Sequence, residues 1–425
     1  MLDIKFIREN PNLVKENIKK KFQNDKIKLV DEVIDKDEKY RVLLQQVEKL
    51  RHKRNVVTKE INDLKKQGKD IKTKLKEAKA IPKKINVKDE KIKQLKNEIK
   101  ELLFNIPNII HKSVPIGKDN SENVEREKIG NPKKFSFPIK SHVEICENLE
   151  IADFDNSACV SGKGFFYLKG DLALLNQALI RFGIDFMVKQ GYTYVEPPLM
   201  IREQILNGVF SHKEIEELSY KIEDEDLFLI ATSEHPLIGM FINQTVNKDK
   251  LPIKISCYSQ CFRKEVGSHG IDEKGLYRTH QFNKVEMITL CEPEDSYKYY
   301  DEMLEITKKI FKKLGIPTRI LESCSGDLPD LKSKSADLEA WSPRRKQYFE
   351  IASVTNMEAA QARRLNIKTT DGKEKHHVHT VNNTAIATSR AMVAILENYQ
   401  NKDGSVSIPK VLQPFMNSKK KIVKE

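Results

Sequence analysis

FRKEVGSHGIDEKGLYRTHQFNKVE, residues 262–286, sets an Arg-x-Glu step ahead of a glycine-punctuated loop and returns through Arg, His, Phe, Lys and Glu at alternate positions. The segment leading into it, IKISCYSQCFRKE (253–265), alternates as a strand. Period two puts Ile253, Ile255, Cys257, Cys261, Arg263 and Glu265 on one face. The same rule over LYRTHQFNKVEMITL puts Arg278, His280, Phe282, Lys284 and Glu286 on one face. The eleven-residue joining loop, VGSHGIDEKGL, carries Gly267, Gly270 and Gly275. A long glycine-containing hairpin loop is more often functional than idle. Two arginines, two glutamates and one ring on adjacent strands suit a nucleotide. A guanidinium fork binds phosphate oxygens, a phenyl face stacks on a base, and a carboxylate receives an ammonium. The same spacing also describes a cross-strand ion-pair ladder around one buried phenylalanine, and spacing alone leaves both readings open.

Outward from this hairpin, 425 residues allow two or three domains with a sizeable core. No apolar run approaches the roughly 18–20 residues that span a bilayer, and MLDIKFIREN holds no signal-peptide core, so no membrane partner and a cytoplasmic location are expected. The six cysteines lack C-x-x-C spacing and read as reduced thiols. Cys257 and Cys261 fall in an alternating apolar segment, so strand-core thiols are expected there and no structural zinc. The net charge of +13 is uneven: residues 1–104 hold 30 Lys/Arg against 18 Asp/Glu, which leaves about +1 for the rest. A basic region on a near-neutral body points to a polyanion, although a lysine-rich solvated helix surface gives the same count.

That basic region is helical by its spacing. Leu29, Val33, Lys36, Tyr40, Leu43, Val47, Leu50, Arg54, Val57, Ile61 and Leu64 follow a 4-3 repeat broken only by Lys36 and Arg54, a coiled-coil signal. Gly68 in KKQGKD offers a turn. Ile71, Leu75, Ala78, Ile85, Ile92, Leu95, Ile99, Leu102 and Ile106 form a second seam, which Pro82 is expected to disturb. The two seams predict an antiparallel helical hairpin, each arm roughly 50 Å long, that projects from the body. The linker is placed in NIPNIIHKSVPIGKDN (105–120), with residues 121–165 irregular with short strands. Asp171 is the expected N-cap of a helix whose face is Leu172, Leu175, Leu179, Phe182 and Phe186 and whose end is Gly191. Beyond it strands and helices mix without βαβ alternation, which predicts an α+β domain on an antiparallel sheet flanked by helices. The division is 1–110 for the hairpin and 111–425 for the body.

Several separate segments resemble one family. FRKE, the loop and GLYRTHQFNKVE are similar to motif 2 of class II aminoacyl-tRNA synthetases, in the seryl-tRNA synthetase version, to which HQF-x-KVE is specific. GYTYVEPPLM (191–200) resembles motif 1, IATSEHPL (230–237) the Thr-x-Glu loop, and NNTAIATSRAMVAILENYQ (382–400) motif 3. LDIKFIRENP, EKLRHKRN, IPNIIHKSVPIG and VLQPFM also match, so the likeness covers nearly the whole chain.

The resemblance implies a serine–tRNA ligase. Serine's carboxylate attacks the α-phosphate of ATP, giving seryl-adenylate and pyrophosphate, and the acyl group passes to a terminal ribose hydroxyl of tRNA(Ser); whether tRNA(Sec) is also charged stays open. It assigns the α-phosphate to Arg263 and the γ-phosphate to Arg390, the two catalytic residues. Further ATP contacts fall to Lys264, Glu265, Arg278 and Thr279, with Phe282 under adenine. Glu350, Ile351, Ala352 and Ser353 complete the ATP set, and Glu350 and Ser353 hold Mg²⁺, for which oxygen ligands are suited. Serine falls to Thr232, Ser233, Glu234, Glu286 and Thr384; a helix N-cap is a second reading of Thr384. The hairpin grips the tRNA, with Lys53, Arg54, Lys65, Lys66, Lys69 and Lys72 as candidate contacts. A homodimer is implied, with Pro198 at its interface. The chain departs from the family at Ala352, Val354 and Met357, and at Lys274, where a basic but unforked group replaces arginine. Asn383-Thr384 is nearer the archaeal and eukaryotic pattern. The competing expectation is a synthetase-like tRNA-binding protein without catalysis; Arg263, Arg390 and Glu286 are all present, which argues against it.

Overall fold

Apolar residues three and four apart build the first quarter of the chain into helices. The computed structural model describes residues 1–265 and 274–424 and divides them into two units, Met1–Ile109 and Ile110–Glu425. In the first, α1 (Ile4–Glu9) and α2 (Pro11–Lys20) precede two long helices, α3 (Ile27–Lys66) and α4 (Lys72–Asn105). Gly68, at φ +65°, makes the turn between them. Ion pairs Lys36–Glu98, Arg51–Asp89, Lys53–Glu77 and Lys74–Glu60 run in opposite senses along α3 and α4, which fixes the hairpin as antiparallel. Lys36, a break in the apolar seam, is thus matched by an acid on the facing helix. Val30, Val33, Ile99 and Leu103 pack with Ile7, Val14 and Ile18 of the short helices, and Val47, Val57, Ile61, Ile81 and Ile85 form a second cluster farther along. α4 runs on through Pro82. The proline is exposed, so the carbonyl that loses its helical partner can be hydrated.

The second unit is built on one sheet. Its strands are β1 (Val124–Ile129), β2 (Thr193–Tyr194), β3 (Ile253–Phe262), β4 (Gln281–Cys291), β5 (Thr318–Glu322), β6 (Lys334–Ser342), β7 (Gln347–Glu358) and β8 (His379–Ala387). They lie in the order β1–β5–β6–β7–β8–β4–β3–β2, antiparallel throughout except for the parallel β3–β2 pair. Helices α5 (Gly170–Lys189), α6 (Glu234–Gly239), α7 (Ser296–Leu314) and α8 (Thr388–Asn398) accompany it. The anticipated stripe of Leu172, Leu175, Leu179, Phe182 and Phe186 is buried in the main core. The helix starts earlier than expected: Lys169 is the N-cap, and Asp171 lies in the first turn, ion-paired to Lys419. Within residues 121–165 β1 is a short strand as anticipated, while the short helices at His142–Leu149 and Asp155–Ser161 were not anticipated.

The second half of β4 carries apolar residues on both of its faces. Val285 and Met287 face the main core, while Ile288 and Leu290 face a second cluster with Leu237, Ile238 and Ile255. Both faces of this strand are covered. Glu286 and Lys284 share the parity of Ile288, so two charged side chains point into protein. Among the described residues no helix is long and apolar enough to cross a membrane.

Candidate active site

Register does most of the assembly. Across β3 and β4, Cys257 faces Glu286, Ser259 faces Lys284 and Cys261 faces Phe282, so these side chains share one side of the sheet. Cys257 and Cys261 are buried thiols there. The strand pair ends sooner than the alternation suggests: Arg263 and Glu265 follow β3, with Glu265 at φ +48°, and Arg278 and His280 precede β4. On the other flank of β4, Thr384 of β8 sits opposite Glu286, and the register slips between Thr384 and Ile386. A second slip, where Leu338 pairs Ala352 but Glu339 pairs Glu350, leaves Ile351 extra in β7. Bulges re-aim side chains, and both lie beside the same cavities. Thr384 is therefore a strand residue, not a helix N-cap. β8 runs straight into α8, which begins at Thr388 and carries Arg390 in its first turn.

Two adjoining cavities result. The smaller is lined by Arg263, Glu265, Tyr277, Arg278, Thr279, Phe282, Ile351, Ala352 and Arg390, among others. Arg263 Nε donates to the Ala231 carbonyl (3.1 Å), and the guanidinium carbon lies 5.2 Å from the Phe282 ring centroid. Among the described residues no carboxylate comes within ion-pair distance of Arg263, which leaves its charge available to an anion. Arg390 lies over the Tyr277 ring at 5.2 Å and bonds Glu350 through both carbonyl and carboxylate, each at 3.1 Å. Burial opposes ionisation of Glu350, but Arg390, with Arg263 and Lys332, outweighs it and holds that carboxyl below its usual range. The carboxylate is still 42 % exposed to the cavity.

The larger cavity is lined by Thr232, Glu234, His235, Glu286, Lys332, Asp337, Ser353 and Asn382, among others; Arg263, Lys284, Glu350 and Thr384 line both. Thr384 Oγ1 donates to Glu286 Oε2 (3.1 Å), and Gln361 Nε2 donates to Glu234 Oε1 (2.6 Å). Burial and then the Glu286 charge raise the Glu234 carboxyl, against the pull of Gln361 and Lys284. Lys284 Nζ lies 2.7 Å from Glu286 Oε2. Asp337, paired across strands with Ser353, is pushed up to about 7 by burial and by Glu350.

Of the sequence-derived set, Lys264 and Ser233 line neither cavity. Lys264 Nζ rests on the Glu216 carbonyl (3.4 Å), and Ser233 is fully buried with its Oγ on Ser259 Oγ (2.5 Å). The basic group at Lys274 is also turned away, paired with Glu147 (2.9 Å) and Asp155 (3.0 Å). Gly267 and Gly270 lie outside the described residues. The sequence reading assigned no role to Tyr277, Lys284, Lys332 or Asp337. Lys284 alone carried a signal, since period two already placed it between Phe282 and Glu286. In the hairpin, Lys53, Arg54, Lys65, Lys66, Lys69 and Lys72 are all exposed, with Lys53 paired to Glu77 (2.7 Å).

Residues 219–399 match the family model described as the tRNA synthetase class II core domain (G, H, P, S and T), which places this antiparallel-sheet unit among class II aminoacyl-tRNA synthetases. Residues 1–110 match the seryl-tRNA synthetase N-terminal domain. The chain is 43 % identical to the serine–tRNA ligase of Methanospirillum hungatei, over 99 % of both chains, and 44 % identical to that of Methanocella arvoryzae, over 98 % of this chain and 99 % of the relative. Seryl-tRNA synthetase from Pyrococcus horikoshii, solved with ATP, superposes with a TM-score of 0.95 at 40 % identity over the full length of both chains. The cytoplasmic serine–tRNA ligase of Naegleria fowleri, solved with AMP, gives 0.89 at 33 % identity, over 100 % of this chain and 99 % of that one. The chain belongs to the seryl-tRNA synthetase family.

Proposed function

We propose that this enzyme activates L-serine with ATP and transfers the seryl group to tRNA(Ser), with the two cavities holding the two substrates of the first step. The observation that carries this reading is their shared wall: Arg263, Lys284, Glu350 and Thr384 line both. A reaction that joins a carboxylate to a phosphate needs two anions brought together, and a wall with two cations between two cavities is suited to that. ATP lies in the smaller cavity, adenine against Phe282, phosphates toward Arg263, Arg278 and Arg390. Serine lies in the larger one, its ammonium and hydroxyl received by Thr232, Glu234, Glu286 and Thr384.

A serine carboxylate oxygen attacks the α-phosphorus, and the bond to the β-phosphate oxygen breaks, releasing pyrophosphate. Arg263 bears the charge that grows on the α-phosphate oxygens. A tRNA ribose hydroxyl then attacks the acyl carbonyl, and AMP leaves. Specificity follows from burial: a substrate lacking the hydroxyl withdraws one hydrogen-bond partner from buried Glu286 and half-buried Thr384, so alanine is refused, while threonine is refused by size. Glu350 and Ser353, with Asp337 across from Ser353, offer hard oxygen donors, and the crowding that pushes Asp337 toward neutrality is what a divalent cation would relieve. Those residues would hold Mg²⁺, which when bound neutralises phosphate charge. The enzyme acts as a homodimer; exposed Leu199 and Met200 next to Pro198, with Leu174 and Val188 on α5, supply apolar surface for a second copy. ATP–pyrophosphate exchange against twenty amino acids tests the first step. Exchange with serine alone is expected, and exchange with none, or with another amino acid, would contradict the assignment.

A further inference from the structure

Lys284 sits on β4 between the ring assigned to adenine and the carboxylate assigned to serine. Its side chain is 7 % exposed, and its ammonium lies 2.7 Å from Glu286 Oε2 and 2.5 Å from Thr232 Oγ1. Thr384 Oγ1 donates to the same carboxylate oxygen. The lysine therefore stands on two of the acceptors that the substrate's ammonium and hydroxyl require. An ammonium in that place suits the empty pocket, because Glu286 would otherwise be a buried charge without a cation. It does not suit the loaded pocket, because Lys284 and Thr384 already fill both lone pairs of Glu286 Oε2, and a second ammonium beside the first adds like-charge repulsion. Lysine has a way out. Its flexible four-carbon stem carries a compact charge, and the residue also lines the smaller cavity.

We propose that Lys284 is a transferable counter-ion: its ammonium fills the seat of serine's ammonium in the empty enzyme, and serine displaces it toward the phosphates, so that serine and ATP favour each other's binding. The inference rests on assigning Thr232 and Glu286 to serine. As a positioning residue Lys284 ties the occupancy of one cavity to the charge of the other. A lysine that merely neutralised Glu286 would stay in place and leave the two affinities independent. Reciprocity also holds, since ATP must raise the affinity for serine by the factor by which serine raises that for ATP.

The test is calorimetric titration of the full-length enzyme with serine, with and without Mg²⁺ and α,β-methylene-ATP, whose α–β link cannot be cleaved. For the wild type, serine affinity is expected to rise about tenfold with the analogue, inside the usual span of coupling energies. In Lys284→Met that ratio falls to within about twofold of one. An undiminished ratio in the variant, or serine binding by the wild type with no coupling, overturns the proposal. Failure of the wild type to bind serine under either condition overturns the serine assignment, and the proposal with it. Should Lys284→Met not fold, a crystal structure of the wild type with serine and the analogue decides the matter. Lys284 Nζ is expected to have left Glu286 and Thr232, and finding it still there refutes the displacement.

Discussion

At Arg263 the neighbouring groups orient the side chain without neutralising it. The Ala231 carbonyl takes Nε and the Phe282 ring supports the guanidinium face, so replacement removes a charge aimed at the cavity and little packing. Arg263→Ala is expected to lower serine-dependent pyrophosphate exchange by about 10²–10³-fold, the usual loss for one donor to developing charge. The melting temperature should stay within about 4 °C of wild type. Normal exchange in this variant would remove the role. Glu234 sets a pH dependence. Its carboxyl is raised by burial and by Glu286, and only the ionised form receives an ammonium. A raised pKa means that this form is lost at a higher pH than for an ordinary glutamate, so the KM for serine should climb on the acid side before the KM for ATP does. Glu234→Gln should abolish that limb and weaken serine by roughly 10- to 150-fold, the worth of a charge-assisted hydrogen bond of about 1.5–3 kcal/mol. Parallel acid limbs for both substrates would argue against it. Much of this site was legible because period two and the motif-like spacing both mark Arg263, Phe282 and Glu286. Lys284 was less so, since its partner Thr232 lies 52 residues away in sequence. Asp337 was not legible at all, since only the β6–β7 register brings it to Ser353.

The elements explain the two misplacements. Thr384 reads as a helix cap because α8 follows β8 without a loop, and nothing in the sequence announces the slip that sets it opposite Glu286. Arg278 and His280 keep the strand's alternation but lie before β4, in the segment where the loop comes back. The end of that loop is held tightly. Gly275 has φ +129°, and a Cβ there would meet His142 Nε2 at 2.3 Å. His142 Nε2 accepts the Leu276 N–H (3.2 Å), and its Nδ1 lies 3.7 Å from Glu397 on α8. His142 thus joins the segment of Tyr277 and Arg278 to the helix of Arg390. Gly275→Ala should raise the KM for ATP several-fold more than the KM for serine. Gly404→Ala is a control, because Gly404 has φ +83° but nothing within 4 Å of the added carbon. It should carry only the backbone strain, about 1–2 kcal/mol. Equal losses from the two variants would show that the His142 contact does not matter.

At the scale of the whole molecule, the helical hairpin followed from periodicity, because a seam of 3.5 residues is a local property, and the α+β class with its antiparallel sheet followed from the absence of βαβ alternation. The order of eight strands did not follow, since it depends on pairings between distant segments. The charge asymmetry was visible at once but fits two readings, which predict different outcomes. If the surplus of +12 in residues 1–104 is only a solvated surface, removing part of it should change nothing in catalysis. If it holds tRNA, the two steps should come apart. Lys53, Arg54, Lys65, Lys66, Lys69 and Lys72 are exposed, and of the six only Lys53 stands in an ion pair among the described residues. Replacing all six by serine should therefore cost little stability, as exposed pairs and surface substitutions do. Pyrophosphate exchange with serine should be unchanged. The KM for tRNA in the charging reaction should rise at least about tenfold, and its dependence on salt should flatten, because a hairpin that neutralises fewer phosphates releases fewer counterions. Shape recognition of an RNA helix leans on backbone contacts of this kind. Charging with an unchanged KM and an unchanged salt slope would return the basic hairpin to the solvated-surface reading, whatever the fate of the serine site.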